Sequence, residues 1–381
     1  MRYGTLILHN GNEIDPHTGA LSIPIYQAST FHQADLQNPG KYDYARSGNP
    51  TREALENTMA ALEKGTHAYA FASGIAAVSS VLAIFQQGDH IIATEDIYGG
   101  TYRALTGIFS KFGIETDFVD LTDINNIRSL IKPNTKAIFL ESPSNPLLKV
   151  TDLIGAVKIA KEHNLLTIID NTFMSPYFQR PLELGIDISI HSATKFLGGH
   201  SDVIGGVVVV KCPELAKKIY YIQNGFGAVL GPQDCWLLLR GIKTLRARME
   251  IQQQSALIIA NWLKEQSWVE EVYYPGLPDH PGNRLLKEQA SGFGAVLSFT
   301  TDTVTRARAI MDQVKLWSVA VSLGGVESIL SYPVKMSHAS MPAPEREKRG
   351  ITNKLIRLSV GLEEPEDLIE DLKNVDTPKN L

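Results

Sequence analysis

The 381-residue chain sets 36 Lys and Arg against 41 Asp and Glu, for a formal charge of −5, and 44% of its residues are hydrophobic against 20% charged. That balance belongs to a chain that buries a large core, and it excludes a disordered polymer. With an acidic net charge and no basic run, it also excludes an electrostatic footprint for nucleic acid or an anionic membrane surface. The length exceeds one ordinary core and predicts two domains with a short extra arm.

Residues 1–46 open the chain with turn formers and polar residues, "NEIDPHTGALSIPIYQASTFHQADLQNPGKYDYAR", and little helical periodicity. Such an arm has too little apolar surface to fold alone and is expected to pack on another surface, a second subunit among them. The start "MRYGTLILHNGNE" has only a short apolar run before His9, too short for a signal-peptide core, and "GIAAVSSVLAIF" is shorter than a bilayer span. Cys212 and Cys235 form no CxxC and stand as reduced thiols. The expectation is a cytoplasmic protein whose partners are small molecules.

From residue 67 the pattern alternates. "HAYAFA" leads into "SGIAAVSSVLAIF", "DHIIAT" into "GTYRALTGIFSKFG", "ETDFVD" into "DINNIRSLIK", and "KAIFLE" into "TDLIGAVKIAKEHN"; "LLTIID" and "IDISIH" follow. Near-continuous apolar strands between amphipathic helices predict an α/β fold with a mostly parallel sheet over residues 47–241. Ligands of such sheets bind beyond the strands' carboxyl ends, where Ser73, Asp96, Ser142 and Asp170 fall. Beyond residue 241, a long helix "TLRARMEIQQQSALIIANWLKEQ" and the strands "GFGAVLSFTT" and "LIRLSVG" predict a smaller α+β domain over 242–381. The tail "EEPEDLIEDLKNVDTPKNL" reads as a solvated, fraying helix.

Chemistry concentrates at the strand ends. Asp170 closes "LLTIID", and Lys195 sits among small residues in "HSATKFLGGHSD". A strand-end aspartate is more often a turn cap, and a carboxylate and an amine over one crevice could be an ion pair. They could also be the two ends of a pyridoxal phosphate site, where a lysine amine anchors the aldehyde and an acid keeps the pyridine nitrogen protonated. Ser73 and Gly74 at a helix start, with the hydroxyls of Ser192 and Thr194, would serve a phosphate, and Tyr98 in "DIYGGTYR" a stacking face. "FLGGHSDVIGG" lacks the order of a dinucleotide fingerprint, and His191, His200 and Asp202 lack the spacing of a metal site.

The segments "YDYARSGNPTREALE", "AFASGIAA", "DIYGGTYR", "ESPSNP", "IDNTF", "HSATKFLGGHSDVIGG", "SLGGVES" and "RLSVGLE" resemble, in order and spacing, the trans-sulfuration enzymes of cysteine and methionine metabolism. The resemblance runs from about residue 5 to residue 373. It implies a fold type I pyridoxal-phosphate-dependent transferase fold with a homotetramer built as a dimer of dimers.

By resemblance, Lys195 anchors the cofactor and then acts as base, Asp170 pairs with the pyridine nitrogen, and Tyr98 stacks on the ring. The amides of Gly74 and Ile75, with Ser192 and Thr194, hold the phosphate, and Tyr44 and Arg46 reach the phosphate of a neighbouring subunit. Arg357 grips the substrate carboxylate with help from Asn145 and Ser322; Asp43, Leu323 and Glu327 are candidates for the pocket wall. The implied reaction is β-elimination of cystathionine to homocysteine, pyruvate and ammonia. The same motifs admit γ-elimination, γ-replacement on an O-acylated homoserine, and a regulator that binds the cofactor without catalysis. Gly100 stands where methionine γ-lyases carry a cysteine, which counts against methionine as substrate.

Overall fold

Short apolar runs become strands, some of them buried along their whole length, as in "HIIAT" and "GVVVV". In the computed structural model, which describes residues 1–376, seven of them form one sheet. These are β1 (His67–Phe71), β2 (His90–Thr94), β3 (Glu115–Val119), β4 (Thr135–Glu141), β5 (Leu166–Asp170), β6 (Ile188–Ser192) and β7 (Gly206–Val210), in the order 1-7-6-5-4-2-3. Strands β3, β2, β4, β5 and β6 run parallel. Strand β7 is antiparallel to both β6 and β1.

The expectation that "HAYAFA" opens the parallel series is corrected: β1 pairs with β7, a strand the helix-strand alternation does not announce. Two antiparallel steps restore direction, so β1 points the same way as β6. Ser73, just past β1, therefore lies at the same sheet edge as Asp170 and Ser192.

Both faces are covered. Ala137, Phe139, Ile168, Ile188, Ile190 and Val208 pack with Val78, Val81 and Leu82 of a helix over Gly74–Leu82 and with Leu215 and Ile219 of the helix Pro213–Phe226. Ile138, Leu140 and Ile169 pack with Leu153, Ala156 and Ala160 of the helix Leu153–Glu162.

A second sheet holds β8 (Val269–Tyr273), β9 (Val296–Thr301), β10 (Ser318–Val319), β11 (Ile329–Ser331) and β12 (Leu355–Ser359), in the order 10-11-12-9-8. It is antiparallel except between β10 and β11. The helix Leu245–Lys264 turns Ala256, Ile259, Ala260 and Leu263 into the core that this sheet shares with Val207 and Val209 of β7. Among the described residues no helix is long and apolar enough to cross a membrane.

Two expectations about the chain ends are corrected. The arm is not wholly irregular: Tyr3–His9 form a helix, α1, whose Ile7 is buried in the main core. The terminal segment is not a solvated, fraying helix. Over Pro365–Lys373 it buries Leu368, Ile369 and Leu372, and burial of each is worth about 1.5–3 kcal/mol, enough to dock a short charged helix. The rest of that segment, residues 377–381, lies outside the described residues.

Candidate active site

The parallel strands end at a cavity of about 430 Å³, closed on its far side by Val321, Ser322, Leu323, Met336, Ser337 and Arg357. Of the twelve residues singled out from the sequence for roles at the site, ten line it: Gly74, Ile75, Tyr98, Asn145, Asp170, Ser192, Thr194, Lys195, Ser322 and Arg357. A larger cleft of about 570 Å³ lies where β8 faces Lys149. Its cations are paired, Lys149 with Glu95 and Asp120 and Lys264 with Asp279, whereas the smaller cavity holds cations without such partners.

At one end the backbone turns from β1 into α3 (Gly74–Leu82), α2 (Pro50–Leu62) being the helix before β1. Ser73 caps α3 by accepting the Ala76 N–H at 3.1 Å, which leaves the Gly74 and Ile75 amides at the cavity wall beside Ser192 and Thr194. Gly205 N–H donates to the Thr194 hydroxyl at 3.0 Å and fixes its orientation. A Cβ on Gly74 would lie 2.7 Å from Ser192 Cβ and Oγ, so only glycine lets α3 approach β6 this closely.

Lys195 Nζ donates to Ser322 Oγ at 2.6 Å. Burial, reinforced by the Arg357 charge and opposed by Asp170, pushes the amine down to about 8. Asp170, at the carboxyl end of β5, accepts the Thr172 N–H at 3.0 Å. Burial raises its pKa, and the Thr172 hydrogen bonds with the charges of His191 and Lys195 oppose that rise. Arg357 on β12 is 2% exposed and gives its N–H groups to neutral oxygens: Asn145 Oδ1 at 2.8 Å, Ser322 O at 2.7 Å and Ser331 Oγ at 3.2 Å. Its Nε has no partner, and burial pushes the guanidinium down to about 10.

Tyr98 stands at the start of a one-turn helix, α4 (Gly99–Arg103), 40% exposed with its ring at the cavity. Its N–H donates to Glu141 Oε2 at 2.9 Å. Glu141 is a site residue that sequence reading misses. Burial first, and the neighbouring Asp170 second, hold its carboxyl well above the ordinary range. The glycines after Tyr98 are required by contact. A Cβ on Gly100 would sit 2.4 Å from the Tyr98 ring, and one on Gly99 would sit 2.0 Å from the Ser337 carbonyl oxygen. Gly99→Ala is expected to displace the tyrosine from the cavity and, if the cavity is an active site, to lower kcat/KM by about 10²-fold, the loss typical of an ångström's misplacement beside a reacting centre. Steady-state kinetics with a circular dichroism control for folding check this.

The remaining expectations fare unevenly. Tyr44 and Arg46 do not line this chain's cavity: Tyr44 is 46% exposed, and Arg46 donates to Asn224 Oδ1 at 3.1 Å with its guanidinium 5.4 Å from the Tyr44 ring centre. Of the pocket-wall candidates Leu323 lines the cavity, but Asp43 and Glu327 do not. Glu327 instead accepts from Ser201 at 3.2 Å. The strand-end residues Asp96 and Ser142 are structural: Asp96 accepts the Ser144 hydroxyl, and Ser142 Oγ accepts the Thr151 N–H at 3.0 Å. His191 and His200 are also committed, to Glu63 and to the Gly198 carbonyl. Arg103, Phe173, Ile204, Val321 and Met336 join the lining unannounced. Arg103 carried a usable signal, since α4 is a single turn that begins beside Tyr98.

These features suit pyridoxal phosphate. The close approach at Gly74 sets amides and hydroxyls where a phosphate would fit, Asp170 is a half-buried carboxyl at the sheet edge, and Lys195 is a half-buried amine that lines the same cavity as Asp170 and Arg357. The site is that of a pyridoxal-phosphate-dependent enzyme of fold type I. The sequence matches the family model "Cys/Met metabolism PLP-dependent enzyme" over residues 4–375, and the chain belongs to that family.

It is 55% identical over 369 residues to cystathionine beta-lyase MetC of Bacillus subtilis (strain 168), covering 97% of this chain and 95% of the relative. It is 50% identical over 372 residues to the cystathionine gamma-lyase of the same organism, covering 98% of each. The crystal structure of cystathionine gamma-lyase from Lactobacillus plantarum complexed with L-serine superposes with a TM-score of 0.96 at 47% identity, covering 98% of both chains.

Proposed function

We propose that the chain is a carbon–sulfur lyase that cleaves the Cβ–S bond of L-cystathionine to give homocysteine, pyruvate and ammonia. One observation carries this reading: a lysine amine pushed down to about 8 shares a cavity with a buried arginine whose hydrogen bonds all go to neutral oxygens. The first can take a proton from carbon near neutral pH, and the second lacks a carboxylate.

Lys195 would be the covalent anchor of pyridoxal phosphate, with Gly74, Ile75, Ser192 and Thr194 around its phosphate, Asp170 at its pyridine nitrogen and Tyr98 on its ring. The cofactor supplies an electron sink that stabilises negative charge at Cα of a bound amino acid. Arg357 binds the substrate's α-carboxylate through its planar fork, oriented by Asn145 and Ser322. Tyr98 stands where it can take a proton from the substrate ammonium or give one to the departing sulfur.

Lys195 Nζ removes the Cα proton, its lowered pKa keeping a useful fraction unprotonated at neutral pH. The Cβ–S electron pair leaves with sulfur, which takes up a proton to become the homocysteine thiol. The three-carbon fragment gains water and yields pyruvate and ammonia. Arg103, exposed at the cavity edge, suits the second carboxylate that cystathionine carries at its far end.

Tyr44 and Arg46 complete the phosphate site of a neighbouring subunit, since they stand exposed and away from their own cavity, and the enzyme works as a homotetramer with shared sites. Its arm (1–46), large domain (47–241) and small domain (242–381) divide these tasks. The free cysteines Cys212 and Cys235 fit the reducing cytoplasm.

The relatives include both a β-lyase and a γ-lyase, so the decisive experiment is product analysis with L-cystathionine. Pyruvate with homocysteine is expected; 2-oxobutyrate with cysteine as the dominant pair would replace this reading by γ-cleavage.

A further inference from the structure

The segment that carries Tyr44 and Arg46 is held by a buried cation. Arg52, in the first turn of α2 and 3% exposed, donates from Nη1 to the Ala45 carbonyl at 2.7 Å and from Nη2 to the Arg46 carbonyl at 3.1 Å. Its Nε faces Glu56 Oε1 at 3.6 Å, an ion-pair contact that leaves the Nε proton without a hydrogen bond. The same Glu56 oxygen accepts the Ala70 N–H of β1 at 2.9 Å. Neighbouring residues add to the grip: Asn49 caps α2 by accepting from Thr51 and Arg52 and donates to the Tyr26 carbonyl at 2.8 Å, while Thr51 Oγ1 donates to the Pro24 carbonyl at 2.9 Å.

Burying a guanidinium costs several kcal/mol of hydration that neutral carbonyls repay only in part. Here that cost fixes two consecutive carbonyls of a segment whose own side chains contribute little to this subunit's core, Tyr44 being 46% exposed. A planar fork spanning both carbonyls sets the course of the backbone from Tyr44 to Arg46, and hence the direction in which those side chains project.

We propose that Arg52 is a positioning residue that presents Tyr44 and Arg46 to the cofactor cavity of a neighbouring subunit. This rests on the reading of the arm given under Proposed function. Glu56 supports the presentation from below. Because it also holds β1 one strand-end away from Ser73 and Gly74, the arm offered to the neighbour and the cradle of the subunit's own site hang on one side-chain pair.

The test compares the cofactor dissociation constants of the full-length protein and of Arg52→Lys, Arg46→Ala and the double variant, measured by titrating cofactor into the cofactor-free protein and reading its bound visible absorbance. Lysine keeps the charge but cannot span two carbonyls. Arg52→Lys is expected to weaken cofactor binding about tenfold, close to the effect of Arg46→Ala, and the double variant is expected to be no weaker than Arg46→Ala alone. Amide exchange at Ser47 and Gly48, both bonded to the Tyr44 carbonyl, is expected to quicken.

An unchanged dissociation constant in Arg52→Lys, or losses that add in the double variant, overturns the proposal. If Arg46→Ala itself binds cofactor normally, the arm reading fails first and takes the proposal with it. Glu56→Gln, which retains an acceptor for Ala70, covers the case in which Arg52→Lys does not fold. It is expected to show a threefold to fivefold weakening that likewise vanishes on the Arg46→Ala background, and additivity there overturns the proposal.

Discussion

Lys195→Met is expected to lower turnover of cystathionine by at least about 10⁴-fold, because in the proposed mechanism one substitution removes both the cofactor's anchor and the base at Cα. Single-turnover assays with the pyridoxal-phosphate-loaded variant check this, and turnover within tenfold of wild type would sink the assignment.

The same residue carries a stability cost with a definite pH window. Folding moves the amine from 10.5 down to about 8, so the unfolded chain holds the proton more tightly than the folded one. The penalty is full below pH 8 and fades as pH rises toward 10.5, amounting to about 1–3 kcal/mol at its largest. Methionine fills similar volume without the charge. Thermal melts of the cofactor-free protein should therefore show Lys195→Met more stable than wild type at pH 7 and the advantage gone near pH 10.5.

Arg357→Gln is expected to reduce kcat/KM for cystathionine by about 10²–10³-fold, mainly through KM, since a buried carboxylate would lose its charged partner. A second consequence separates this role from mere packing. The Arg357 charge is one of the causes that lower the Lys195 pKa, after burial itself. Removing it should raise that pKa and move the acid limb of the kcat profile to higher pH. A variant with raised KM and an unmoved limb would show that the guanidinium does not act on the lysine.

The positions legible in the sequence are those where a local pattern and the topology of a parallel sheet agree. "LLTIID" and "IDISIH" are adjacent apolar strands, so Asp170 and the lysine after Ser192 had to reach one edge. Glu141 ends its strand in the same way but carries no local mark, and only the neighbouring strand, with Asp170 on it, reveals a crowded pair of carboxyls. Met336 and Val321 reach the cavity from loops that follow β11 and β10, a placement that depends on how the two sheets pack and leaves no local pattern. The terminal helix was legible in principle: Pro365 at its start and Leu368, Ile369 and Leu372 on one face form an apolar stripe that the surrounding charges mask. Strand β7 likewise announces itself as "GVVVV", but a run of five apolar residues says nothing of its direction or of its place between β1 and β6.

That placement governs how the protein is made. Among the described residues, 67–71 pair within the sheet with residues 206–210, beside an isolated bridge from Phe71 to Val229, so β1 leaves the ribosome long before the strand that completes it. Contacts this distant in sequence slow folding, and until they form β1 keeps unpaired backbone edges open to other chains. The cavity wall at Ser73 and Gly74 begins two residues after β1 and packs on Gly206 of β7, so it can take shape only once β7 has been synthesised. Cofactor added during synthesis would thus find no cradle on shorter nascent chains, and the interval between the two strands is when the chain is most exposed to aggregation.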